Sequence, residues 1–183
     1  MKQKLYLYHY FESKIGAFIS MSDLSLEEAM KIQTEIDIRN TTFHVGRKEE
    51  YYKRRKYLEQ LVREMFVAKG GKPILTVPHY MVIGECPWLA SWFEKSDYVK
   101  IPIDEFDLNT VSFTYGDTFP TFSPHVTDEL EYRKQVYTYE EIINIIKKYG
   151  MPQDLWNEPI FAQPAYVEAQ VWSDIPINRY RTK

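Results

Sequence analysis

A carboxylate and a carboxamide stand two positions apart in residues 166–172, where Glu168 precedes Gln170. The segment alternates in polarity as a β-strand does, so both groups share one face with Tyr166 and Trp172, and small apolar residues occupy the other face. A strand with such a polar face could form the floor of a pocket for a polar ligand that contains a ring. The same pattern suits an antiparallel strand whose polar face is in solvent, so both interpretations are open at this point.

The histidines and the single cysteine show no spacing that is typical of a reactive centre. His9 lies near the end of a predicted strand, where it faces either a ligand or the edge of the core. Cys86 could be a nucleophile only with a paired histidine, and His79, seven residues before it, is available; the sequence favours a buried, inert thiol. A metal-dependent hydrolase is one possible class of function, but the spacing of its possible metal ligands supports no metal site. Those ligands would be His9, His44, His79, His125 and Asp117.

The composition is that of a globular domain with many aromatic rings. A chain of 183 residues is long enough to bury a proper core, and we predict a single domain over residues 1–183. Aromatic residues make up 16% of the chain, and amphipathic rings line nucleotide pockets as well as cores. The net charge of −3 excludes a protein that binds nucleic acid through its overall charge. No apolar run approaches the roughly 18 residues of a membrane span, and no signal pattern is present, so we expect a cytoplasmic protein without a membrane partner.

Periodicity and capping signals divide the chain into helices and strands. Capping boxes at residues 25–28 and 138–141 predict the starts of two helices, of which the first covers residues 25–37. A longer helix is predicted over residues 47–68. Five strand-like segments without an alternating strand–helix rhythm predict the α+β class. The strands are expected at residues 5–10, 74–83, 98–103, 110–115 and 166–172.

Two polar segments could contribute to a binding site. Residues 47–72 contain nine lysine or arginine residues against four glutamates, with tyrosines between them. This mixture suits a partner that bears phosphate, although a solvated helix face has the same pattern. Residues 116–120 form a predicted turn of exposed polar groups, such as is found at the mouth of a site. A non-catalytic module that binds a nucleotide or a protein through these surfaces is one hypothesis for the function.

Four short stretches, taken in order along the chain, carry a resemblance to a known family. They are Tyr-His-Tyr at residues 8–10, Val-Pro-His-Tyr-Met-Val at 77–82 with Pro-Trp-Leu at 87–89, Phe-Thr-Tyr-Gly-Asp at 113–117, and Val-Glu at 167–168 followed by Asp-Ile-Pro at 174–176. In this order they resemble the ADP-ribosyltransferase fold, most nearly the DNA-targeting ADP-ribosyltransferase toxins of toxin–antitoxin systems. The chain as a whole also looks like a family of uncharacterised proteins from Gram-positive bacteria, a likeness that brings no function with it.

The resemblance implies an ADP-ribosyltransferase-like fold, with mixed or antiparallel sheets and about three flanking helices, and NAD as the substrate. Glu168 would be the catalytic carboxylate, which stabilises the oxocarbenium-like ribosyl centre and accepts the proton of the nucleophile. His9 would hold the ribose by hydrogen bonds, Tyr10 or Tyr80 would stack on nicotinamide, and Gln170 belongs to the same binding set. An arginine would contact the pyrophosphate. The candidates are Arg47, Arg54 and Arg133, and Arg54 is assigned to this role.

The partners implied by the resemblance are of two kinds. The acceptor of ADP-ribose is open between a nucleic-acid base, a protein side chain and water. An antitoxin-like protein would accompany a toxin of this class.

Overall fold

An antiparallel sheet of five strands forms the centre of the computed structural model, which describes residues 4–39, 44–155 and 163–181. The strands are β1 (Tyr6–Glu12), β2 (His79–Ile83), β3 (Ser96–Pro102), β4 (Val111–Tyr115) and β5 (Val167–Val171). Their spatial order is β3-β1-β2-β5-β4, and each neighbouring pair is antiparallel. The fifth strand in the chain therefore lies between the second and the fourth. These elements confirm the predicted α+β class and the antiparallel sheet.

Two of the helices begin where the capping boxes predict them. The backbone N–H of Ser25 donates to Oε2 of Glu28 at 3.0 Å, and the N–H of Glu28 donates back to Oγ of Ser25 at 3.3 Å. Thr138 and Glu141 close the second capping box in the same reciprocal way. None of the helices in the described residues is both long and apolar enough to cross a membrane. The helices are α1 (Leu26–Arg39), α2 (Glu49–Ala68), α3 (Pro87–Ala90), α4 (Thr118–Thr121), α5 (Tyr139–Tyr149) and α6 (Pro152–Leu155).

One face of the sheet forms the main core. Val167, Ala169 and Val171 point to this face, as their alternation predicts, and pack in the same cluster as Phe113 of β4 and Ile142 of α5. The apolar stripe of α5 is thus buried against the sheet.

The opposite face of the sheet is covered by α2. Leu58, Val62 and Phe66 of this helix pack in one cluster with Trp172, which follows β5 directly. All five residues of β5 are buried, so the polar face of this strand does not face solvent. The interpretation of a solvated polar face is wrong, because the stripe of α2 packs there and leaves the polar groups of β5 in the interior.

The strand predicted at residues 74–83 forms only in its second half. The N–H groups of Ile74 and Leu75 both donate to the carbonyl oxygen of Trp172 at 2.9 Å, which anchors this segment at the end of β5 instead of in a ladder. Pro78 has no N–H to contribute to a ladder. The strand β2 accordingly begins at His79.

Candidate functional site

A cavity of about 610 Å³ opens between the α2-covered face of the sheet, the start of α2, α3 and the turn after β4. Its volume lies within the range of about 300–1,000 Å³ that small-molecule sites occupy. Nine phenylalanine, tyrosine and tryptophan residues line it. Its arginine and carboxylate residues are Arg47, Arg55, Asp117 and Glu168. This combination of aromatic walls and a few charged groups suits a polar ligand that contains rings.

Glu168 is a buried carboxyl group in the wall of this cavity. It lies in the middle of β5, opposite Val82 of β2 and Thr114 of β4, and is 6% exposed. Its Oε1 accepts a hydrogen bond from Oγ1 of Thr118 at 2.5 Å and another from Nε2 of Gln170 at 2.9 Å. Within the described residues Oε2 accepts none. A ligand in the cavity would therefore meet Oε2, while Oε1 is held in place.

The surroundings of Glu168 favour its protonated form. Burial is the main cause, and the nearby charge of Asp117 adds to it; together they raise the pKa of Glu168 to about 8. The hydrogen bonds from Thr118 and Gln170 and the charge of Arg55 oppose this rise. Near neutral pH the group is therefore largely protonated, and a positive charge on a ligand would favour its ionisation.

Gln170 lies behind Glu168 and is 1% exposed. The indole Nε1–H of Trp172 can only donate, so Oγ of Ser112, 2.9 Å away, must accept that bond and direct its own proton to Oε1 of Gln170 at 2.7 Å. The carboxamide is thereby oriented with Nε2 toward Glu168. Gln170 is not among the residues that line the cavity, and its Nε2 donates to Oε1 of Glu168, so it orients the carboxyl group.

The substitution Thr118→Val tests the hydrogen bond at Glu168. Valine keeps the shape of threonine but removes the donor that stabilises the charged carboxylate. We expect the pKa of Glu168 to rise further, by about one unit, because a hydrogen bond to a charged group contributes roughly 1.5–3 kcal/mol. The measurement is an NMR titration of ¹³C-labelled glutamate carboxyl groups, with Thr127→Val at an exposed position as the control. An unchanged or lower pKa in Thr118→Val would contradict the expectation.

Of the three candidate arginines, Arg47 lines the cavity, whereas Arg54 and Arg133 do not. Arg54 lies outside the cavity lining: its Nη2 donates to the carbonyl oxygen of Phe122 at 3.0 Å, and its guanidinium contacts Tyr57. Its neighbour Arg55 lines the cavity instead, since adjacent helical residues point about 100° apart. Arg133, another candidate, forms an ion pair with Asp128.

The phase of α2 was the signal for Arg55. At about 100° per residue, Arg55 lies about 20° from the centre of the stripe formed by Leu58, Val62 and Phe66, and Arg54 lies about 80° from it. Arg54 is outside that stripe. Counting basic residues along the helix does not distinguish the two positions, whereas the helical period does.

His9 uses both ring nitrogens within the fold. Its Nδ1 lies 2.8 Å from the carbonyl oxygen of Tyr80, and its Nε2 accepts the N–H of Phe18 at 2.9 Å. The imidazole is therefore neutral, with the proton on Nδ1, and burial lowers its pKa to about 4. Because β1 and β2 pair only through Leu7 with Ile83 and Tyr8 with Val82, the ring joins these strands where the ladder stops. A hydrogen bond from His9 to a ribose would require one of these contacts to break.

The two tyrosines predicted to stack on a ligand both line the cavity, but different contacts hold them. The hydroxyl of Tyr80 donates to Oε1 of Glu59 at 3.1 Å, and the guanidinium of Arg55 lies 4.8 Å from the centre of its ring. The hydroxyl of Tyr10 accepts the N–H of Cys86 at 2.8 Å, and its ring stacks beside Tyr8 at 6.2 Å. Tyr80 is thus held by charged groups and Tyr10 by backbone and aromatic contacts.

The turn after β4 adds Asp117, which was a candidate from the sequence only as a metal ligand, and Phe119, which was not a candidate ligand residue. Gly116 has φ +112°, a conformation that favours glycine, and it leads directly to Asp117. Oδ2 of Asp117 accepts a hydrogen bond from the hydroxyl of Tyr166 at 2.9 Å. The ring of Phe119 stacks in parallel on that of Tyr51, with ring centres 4.8 Å apart. Four of residues 116–120 line the cavity, as expected of a segment that borders a site. The prediction of an exposed turn is wrong in part, because Thr118–Thr121 form α4 and Thr118 is buried. Their contacts with α2 and β5 join segments that are distant in sequence.

The described residues contain no metal site, and comparison with known proteins identifies no relative. Across residues 4–39, 44–155 and 163–181, no three histidine, cysteine, aspartate or glutamate side chains are grouped so that they could hold a metal ion. No protein-family model, no curated protein and no solved structure matches the chain. The geometry of the cavity is therefore the basis for assigning a function.

Proposed function

We propose that this protein is an NAD-consuming ADP-ribosyltransferase in which Glu168 is the catalytic carboxylate. The observation that carries the proposal is a buried carboxyl group, held by two donors, in an aromatic cavity that also contains two arginines. The proposal includes an ADP-ribosyltransferase-like fold and a cytoplasmic location.

The stretches that resemble the family lie close together around this cavity, which supports the proposal. Residues 8–10, 79–82 and 167–168 belong to β1, β2 and β5, which are neighbours in the sheet. Residues 113–117 lead from β4 into the turn that borders Glu168. Segments from distant parts of the chain thus contribute to one site.

In the proposed reaction, the bond between C1′ of the ribose and the nicotinamide nitrogen breaks, and its electron pair leaves with nicotinamide. The ribosyl centre becomes oxocarbenium-like, as in glycoside cleavage. The Glu168 carboxylate stabilises this positive charge through Oε2. As the acceptor attacks C1′, Glu168 takes the proton that the acceptor loses.

The raised pKa of Glu168 fits this sequence of steps. The nicotinamide ring of NAD carries a positive charge, and an opposite charge nearby favours the ionised form of a carboxyl group. Bound NAD would therefore convert Glu168 to the carboxylate that the reaction needs. We assign the pyrophosphate to Arg55 and Arg47, in place of Arg54, and the nicotinamide ring to Tyr10.

The test is to incubate the protein with NAD and cell extract while free nicotinamide and labelled adducts are followed. The proposal expects nicotinamide release, and the labelled product identifies the acceptor as a base, a side chain or water. NAD that binds in calorimetry without being cleaved would favour a non-catalytic nucleotide-binding module. The absence of both binding and release would reject the proposal.

A further inference from the structure

Glu59 is a buried carboxylate that the proposed reaction does not use. It lies on α2, four residues after Arg55, and its side chain is 3% exposed. A buried charge is costly unless ionic and hydrogen-bonding partners compensate it. Its partners therefore indicate what this carboxylate holds in place.

One oxygen of Glu59 gathers donors from three parts of the chain. Its Oε1 accepts Nε–H of Arg55 at 3.1 Å and the hydroxyl of Tyr80, on β2, at 3.1 Å. It also accepts the hydroxyl of Ser22 at 2.7 Å, from the turn that precedes α1. Because these bonds meet at one atom, they fix the guanidinium of Arg55 against the ring of Tyr80 at the cavity wall.

The way Glu59 holds Arg55 leaves the end of the guanidinium available. Within the described residues, Arg55 forms hydrogen bonds only through Nε. Its two Nη groups have no partner there, and the residue lines the cavity. A guanidinium fixed through Nε presents its Nη groups as a planar fork, a geometry that matches the oxygens of a phosphate or carboxylate.

We infer that Glu59 is a positioning residue, which acts through Arg55 to direct its Nη groups at an anionic group of the cavity ligand. The identity of that anion as the pyrophosphate of a dinucleotide rests on the function proposed above. Glu59 itself does not touch the ligand. Its effect is to keep Arg55 from rotating toward solvent and to keep Tyr80 beside it.

The first test compares Glu59→Gln with Glu64→Gln. Glutamine keeps the size of the side chain but removes the charge that holds Arg55. We expect the KM for NAD and the Kd for inorganic pyrophosphate to rise about tenfold while kcat changes by less than about threefold. Glu64 is exposed on the same helix and, among the residues that the structure describes, accepts a hydrogen bond only from Gln60, so Glu64→Gln should behave as wild type. If Glu59→Gln does not fold, Glu59→Asp is used instead. Aspartate is shorter by one methylene, so its charge lies farther from Arg55, and the same rise in KM for NAD and in Kd for pyrophosphate is expected.

A double-mutant cycle with Arg55→Lys separates positioning from a general loss of stability. Lysine keeps the charge at residue 55 but has no fork to orient. In the Arg55→Lys background, Glu59→Gln should raise the Kd for pyrophosphate by less than about twofold, because its route of action is already lost. If the fold-changes in Kd of Glu59→Gln and Arg55→Lys simply multiply in the double variant, the two residues act independently and the inference is overturned.

The same measurements separate this inference from the proposed function. Coupled losses of pyrophosphate affinity without nicotinamide release by the wild type would support the role of Glu59 and reject the transferase. Nicotinamide release by the wild type, with Glu59→Gln equal to Glu64→Gln, would overturn the role of Glu59 alone. A wild type that binds neither NAD nor pyrophosphate would reject both.

Discussion

Replacing Glu168 by glutamine is expected to lower kcat for nicotinamide release by about 10²–10³-fold, the scale on which one electrostatic contact to a transition state acts. Glutamine has the same size, and its carbonyl oxygen can still accept the bonds from Thr118 and Gln170, so the fold is retained. What is lost is the negative charge opposite the ribosyl centre and the base that takes the proton. The measurement is steady-state nicotinamide release, with NAD binding followed by calorimetry.

The matched control for this change is Glu140→Gln, an exposed glutamate in the first turn of α5. It should leave kcat unchanged. In the wild type, kcat/KM should rise with pH through the pKa of about 8, because the carboxylate is the active form, and this limb should be absent in Glu168→Gln. Equal rates for Glu168→Gln and wild type would remove Glu168 from the mechanism, even if nicotinamide were released.

The substitution His9→Ala is expected to lower the free energy of unfolding by about 3 kcal/mol, because leaving a buried donor or acceptor without its partner costs roughly 1–3 kcal/mol. Two such groups are involved, the carbonyl of Tyr80 and the N–H of Phe18. The loss also releases β1 from β2 beyond their short ladder. Urea denaturation at pH 7 measures the effect, with the exposed His125→Ala as the control.

The pH dependence of stability provides a second readout for His9. Its pKa is about 4 in the folded protein and 6.5 in the unfolded chain, so between these values the unfolded chain binds more protons. The contribution of His9 to stability is therefore present above pH 6.5 and is lost as the pH falls toward 4. This slope should be shallower in His9→Ala. If His9→Ala instead kept its stability and lost affinity for NAD, the ribose contact predicted from the sequence would be the correct role.

Local signals in the sequence predicted the elements but not their partners. The capping boxes located the starts of α1 and α5 because a cap is a contact between residues three apart. The alternation of residues 166–172 predicted β5 and the pairing of Glu168 with Gln170 on one face for the same reason. The burial of that face depends on α2, which is about a hundred residues earlier in the chain, and no local pattern records it.

The differences between the predicted and the observed surroundings of two site residues have the same origin. Arg54 and Arg55 are adjacent in sequence, but on a helix this step turns the side chain by about 100°, and only Arg55 lines the cavity. The type and position of His9 suggested a ligand contact, and His9 does line the cavity. Its actual partners, Tyr80 and Phe18, come from a second strand and a loop. Only the register between β1 and β2 shows why a side chain is needed at that point.

The place of β5 in the sheet also determines when the site can exist. This strand follows the other four in the chain, yet it lies between β2 and β4. The edges of β2 and β4 that pair with it therefore stay open until residues 167–171 have been synthesised. Closing these long loops is slow compared with forming the helices, and the growing chain exposes unpaired strands meanwhile. The cavity gains the carboxyl group of Glu168 in the same step that completes the sheet. If the proposed function is correct, a nascent or partly folded chain is expected to be inactive until the sheet is complete.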